Sequence, residues 1–216
     1  MELESLNAAF VIDTFLLLLI GIGPKIALVP FLEATRGMPQ ATQRLVLRKM
    51  LVTAAIVAVL LLILGGLLTR LLHFSPGALG VASGIILLII AVTMVLGQHD
   101  ENSGSRPPED GKDPMQLAVF PLAVPYLLNP AGIVVLVTAS AEAASISVVA
   151  VVVGILIVIL ALDVVVFRWA VQVSSHLDAS RMLVTEKVFG FLLAALGVQL
   201  VLDGLSDVGV IHLTGH

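Results

Sequence analysis

Apolar residues run along this chain in long blocks, over residues 8–33, 45–69, 78–96, 116–140, 146–168 and 188–205, with polar and charged residues gathered between them. Each block approaches or exceeds the roughly 20 residues a helix needs to cross the hydrocarbon core of a bilayer. A lipid-facing barrel strand would alternate apolar and polar positions with period two, and these runs do not. The pattern predicts an all-α polytopic membrane protein of six transmembrane helices.

Composition agrees with that reading. Of 216 residues, 59% are hydrophobic and 12% charged, against about 45–50% and 25% in soluble domains; mean hydropathy is +1.12. Too few polar side chains remain to cover a water-facing surface, which excludes a soluble globular protein. The expected surroundings are the lipid bilayer. The net charge of −4 and the scattered basic residues argue against a nucleic-acid partner. With no cysteine, disulfides, thiolate metal sites and iron–sulfur clusters are excluded, and no cofactor is expected. The opening Met-Glu-Leu-Glu lacks the basic n-region of a secretory signal, so the first apolar run is expected to stay as a helix.

Lys and Arg in the connections set orientation. Arg36, Arg44, Arg48, Lys49, Arg106, Lys112, Arg168, Arg181 and Lys187 fall on one side, and Arg70 alone on the other. The basic side is therefore expected in the cytoplasm, with both termini outside it. The stretch Gly97 to Pro114, GQHDENSGSRPPEDGKDP, is too polar to pack and predicts a cytoplasmic linker over 98–115. It divides the chain into a first three-helix repeat, 1–97, and a second, 116–216. Two such triplets must run through the membrane in opposite senses, the inverted repeat of many transporters. Each opens with a helix interrupted by proline: Gly23-Pro24 with Pro30, and Asn129-Pro130 with Pro121 and Pro125.

Proline removes an N–H and clashes with the preceding turn, so Pro24 and Pro130 should each start a second half-helix, with Asn129 a natural N-cap. A half-helix N-terminus inside a bundle favours an anion or carboxylate. A kink that only shapes the packing is the other reading. Ionisable groups at membrane depth cost about 2.5 to 3.5 kcal/mol on insertion scales and mark function or a pair. Lys25 and Asp163 both fall roughly 7 to 9 Å to the cytoplasmic side of the midplane at about 1.5 Å per residue, which makes them an expected pair. The candidate substrate-binding set is Gly23, Pro24, Lys25, Asn129, Pro130, Gly132 and Asp163. Asp13 and Glu33 lie near the ends of the first span. Every histidine falls in a connection or the tail, so no metal site and no enzymatic machinery are expected. Ser83, between Gly80 and Gly84, reads as close helix packing.

At these residues the chain resembles the MarC family of bacterial inner-membrane proteins, related to the lysine-exporter-like membrane proteins. The resemblance rests on Gly23-Pro24 with Val29-Pro30-Phe31-Leu32, on Ala82 to Leu88 before Met94-Val95-Leu96-Gly97, on Val119 to Pro125, and on Gly190 to Gln199 with Asp203-Gly204-Leu205. The family's usual Asn-Pro in the first break and Gly-Pro-Gly in the second stand exchanged here, and Lys25 replaces an apolar residue. The resemblance implies a multi-pass protein of the bacterial inner membrane. The resulting expectation is a transporter or exporter of a small anionic or zwitterionic solute, with Lys25 and Asp163 as its charged gate. The alternative is a non-transporting accessory or scaffold subunit. The sequence leaves open a homo-oligomer or a larger membrane complex.

Overall fold

The computed structural model describes residues 8–96, 113–142, 146–173 and 179–211, and all its regular elements are helical. The expected first span is two helices, α1 (Ala8–Gly21) and α2 (Pro24–Ala34). Two continuous helices follow, α3 (Gln40–Leu72) and α4 (Pro76–Leu96). The expected fourth span is also composite: α5 (Pro114–Leu117), a wide-turned segment Ala118–Leu127, and α6 (Pro130–Glu142). Helices α7 (Ile146–Val173) and α8 (Ala179–Asp207) complete the bundle. Within the wide-turned segment, Phe120 (φ −137°, ψ 126°) and Val124 (φ −137°, ψ 122°) leave helical geometry. Each precedes a proline, whose ring pushes the preceding residue into the extended region.

Among the described residues, four helices are long and apolar enough to cross a membrane: Gln40–Leu72, Pro76–Leu96, Ser147–Gln172 and Lys187–Asp207. Shorter apolar helices cover Phe10–Gly21, Pro114–Leu127 and Pro130–Ala141. Between 22% and 33% of each long helix's most apolar window is buried inside the protein. The apolar majority faces outward, on a scale that water would not tolerate. Trp169, at the far end of α7, lies on that outer surface beside the exposed Arg168.

Lipid removes the usual hydrophobic drive for helices to associate, so close packing must hold them together, and small residues permit it. Helices α4 and α8 are the most extensively paired. A β-carbon on Gly84 would lie 2.6 Å from Gly197 O, one on Gly77 2.7 Å from Gly204 O, and one on Gly80 3.4 Å from Gly204 Cα. The expected packing role of Gly80 and Gly84 is what the crossing shows, with Ser83 buried beside them. Lys187 Nζ donates to Val95 O at 2.7 Å, tying the α8 side to the last turn of α4, where a cation suits the helix dipole.

Helix α3 packs on α6 and on the wide-turned segment, and α7 packs on α3 and on both halves of the first broken span, α1 and α2. The α3–α6 approach also rests on glycine: Gly66 N donates to Ser140 Oγ at 2.8 Å, and a β-carbon on Gly65 would lie 2.8 Å from Val137 Cα. On α7, Phe167 meets Phe31 of α2 edge-to-face, with centroids 5.3 Å apart and planes at 82°. The expected linker 98–115 lies outside the described residues except for its last three. There Asp113 caps α5, its Oδ1 accepting from Met115 N at 2.9 Å. Met1 and His216 also lie outside them.

Candidate functional site: two helix breaks that cross

The two proline breaks, far apart in sequence, meet. Ile22 and Leu128 form an isolated antiparallel bridge, and Asn129 N donates to Gly21 O at 2.9 Å. The chain before each break closes on itself, Ile22 N on Leu18 O at 2.6 Å and Leu128 N on Ala123 O at 2.9 Å. Backbone groups at the breaks are thus satisfied partly within each segment and, at Gly21 O, by the opposite break, as burial requires. Ile22, Leu128 and Asn129 are all buried.

Asn129 does two things at once. Its Oδ1 accepts from Gly132 N at 3.1 Å, capping the first turn of α6. Its Nδ2 donates to Ile20 O at 2.7 Å, across the crossing. Pro130 follows as the first residue of α6, as its missing N–H and fixed φ favour. At the other break Pro24 opens α2 in the same way, but the capping residue is Gly23, whose extended backbone (φ −171°, ψ 165°) brings no side-chain cap.

Gly132 is expected to let a ligand or backbone approach closely, and what approaches is the backbone of the other break. A β-carbon there would run into Gly21 O and lie 2.7 Å from Gly21 C, while one on Gly21 would meet the Gly132 backbone. Gly21 is the residue that sequence reasoning missed, although the Gly21-Ile22-Gly23 triplet carried the signal of a close crossing. The first-break residues Gly23 and Pro24 and the second-break residues Asn129, Pro130 and Gly132 therefore sit on the two strands of one junction.

Lys25 and Asp163 are not brought together. Lys25 is exposed, because the buried face of α2 is made by Ile26, Ala27, Val29, Phe31 and Leu32. Asp163 is wholly buried on α7, and neither of its carboxylate oxygens has a hydrogen-bond partner. The two share a depth on sequence arithmetic but not a direction around their helices. Asp13 is exposed and Glu33 half-buried. Among the described residues, no group of three or more His, Asp or Glu side chains is placed to hold a metal ion.

Comparison with known proteins agrees with an integral membrane protein. Residues 8–208 match the model of a family described as MarC family integral membrane proteins. The UPF0056 membrane protein YvbG of Bacillus subtilis is 28% identical over 207 residues, covering 92% of this chain and 95% of that protein. The UPF0056 membrane protein MJ1677 of Methanocaldococcus jannaschii is 24% identical over 184 residues, 85% of this chain and 90% of its own. A Pyrococcus horikoshii relative, UPF0056 membrane protein PH0214, is 27% identical over 202 residues, 92% and 94% of the two chains. No solved structure matches the chain.

Proposed function

The chain belongs to the MarC family of integral membrane proteins, and from that premise we propose that it is a transporter of a small anionic or zwitterionic solute. In this reading the chain crosses a bacterial inner membrane six times, two of the crossings made by broken helices, with both termini outside the cytoplasm. The observation that carries it is the junction of the two breaks, where Ile22 and Leu128 pair. A pair of opposed half-helix N-termini at one buried point is the arrangement that binds an anion when the two sides part. The inverted repeat is supported by an exchange of partners: α3 lies on the second broken span, α7 on the first, and α4 lies on α8. The closed junction is then the occluded state, and solute enters when the two breaks separate at Ile22 and Leu128.

The chain has no cysteine, so a cross-link can be placed cleanly. Directly paired residues on antiparallel strands have Cα atoms about 4.5 to 5.5 Å apart, within disulfide reach. The Ile22→Cys, Leu128→Cys double variant in liposomes is expected to move at least one anionic or zwitterionic metabolite when reduced, to stop on oxidation, and to recover on reduction. A second reading, a non-transporting accessory or scaffold subunit, is favoured by the absence of room between Gly21 and Gly132. No uptake of any solute by the unmodified chain, across a screen of such metabolites, would make that reading the better one.

A further inference from the structure

Asp163 is the one ionisable side chain on the buried face that α7 presents with Val152, Ile155, Leu156, Ile159 and Phe167. It is wholly buried, and both oxygens lack a hydrogen-bond partner. A carboxylate held as an anion in such a place needs a cation or several donors, and without them its burial is among the costliest a bilayer protein can carry. The elements packed on α7 are α1, α2, α3 and α6. Their ionisable side chains with a described position are Asp13 on α1, Lys25 and Glu33 on α2, and Arg44, Arg48, Lys49 and Arg70 on α3, with Arg168 on α7 itself; Glu33 is half-buried and the others are exposed. None is within hydrogen-bond distance of the Asp163 oxygens.

The geometry points to Asp163 as a proton-binding site inside the bundle, its carboxyl carried as the neutral acid while the protein is closed. A proton satisfies the group without space for a ligand, and among the described residues no group of three or more acidic or imidazole side chains is placed to hold a metal cation. A metal cation would take several oxygen donors. A neutral acid also removes the repulsion that a fixed negative charge would exert on an anionic solute in the same bundle. Proton and solute binding would then favour each other reciprocally, which makes the proton the coupling ion. That last step rests on the transport reading; the proton site itself stands on the surroundings of the carboxyl alone.

The test is infrared spectroscopy of the full chain in liposomes at neutral pH, comparing the unmodified protein with Asp163→Asn. The expected difference is a carboxylic-acid C=O band present in the former and lost in the latter, with Asp13→Asn leaving that band in place. A difference confined to the ionised-carboxylate region would overturn the proposal. Should Asp163→Asn fail to fold, Asp163→Glu carries the same test, because it moves the acid band without abolishing it; an unmoved acid region would overturn the proposal equally. The acid band with no solute uptake would keep the proton site and remove the transport reading. Uptake with no acid band would do the reverse.

Discussion

The two breaks are built to opposite recipes. At the second, a side chain does the work: Asn129 caps its own helix and also holds the opposite chain through Ile20 O. At the first, side chains are kept away. Gly21 yields its space to Gly132, and Gly23 caps α2 with backbone alone. One polar residue therefore serves both breaks, and the glycine-lined break is what allows it to reach. The exchange of Asn-Pro and Gly-Pro between the two positions, read in the sequence as a departure from the family pattern, leaves the junction with one polar clamp and one smooth partner.

The largest effect is expected where smoothness is lost. Gly132→Leu would drive a side chain into the Gly21 backbone, which has no flexible end to yield, so the cost should exceed the about 1 to 3 kcal/mol usual for overpacking. The variant should leave the monodisperse peak on size-exclusion chromatography in detergent; a normal peak with unchanged melting would mean the crossing is looser than described. Asn129→Ala should come next. It removes a cap worth about 0.5 to 2 kcal/mol and orphans the Ile20 carbonyl, at about 1 to 3 kcal/mol where buried. Asn129→Ser, able to cap but too short to span the crossing, should recover part of the melting temperature; if it recovers all of it, the bond to Ile20 contributes nothing.

A cap transplanted to the smooth break sharpens the contrast. In isolation Gly23→Asn should stabilise α2, but its β-carbon would lie 2.5 Å from Leu19 O. We expect a net loss of about 1 to 3 kcal/mol, read by thermal unfolding, and a rise in stability would show that the two breaks are interchangeable. The smallest effect belongs to Lys25→Ala, within about 0.5 kcal/mol for an exposed residue outside the junction. Combined with Asp163→Asn it should add within about 0.3 to 0.5 kcal/mol; a larger coupling would restore the pair that depth alone suggested.

Hydropathy reported the positions of the helices well because it reports the lipid. It misjudged their ends for the same reason. Helix α3 begins at Gln40, carrying Arg44, Arg48 and Lys49 ahead of most of its apolar run, and α8 begins at Ala179, well before residue 188. A helix stops where its backbone is capped or broken, whether or not lipid has ended. The breaks themselves were legible, since proline deletes a donor wherever it stands. Their meeting was not, because the bond from Asn129 to Ile20 spans 109 positions and no local pattern encodes it. Pairing Lys25 with Asp163 failed through a coordinate that depth omits: α2 buries Ile26 and Ala27 and turns Lys25 outward.

Trp169 gives the chain an optical address. It is the chain's single tryptophan, and its indole sits on the outer surface of α7, so all indole emission comes from one known place. Six residues along the same helix from Asp163, it stands roughly 9 Å away along the axis at about 1.5 Å per residue. Quenching by lipids brominated at successive acyl positions would fix its depth in a living bilayer geometry, and by that short ruler the depth of the buried carboxyl, with no label attached and no residue changed.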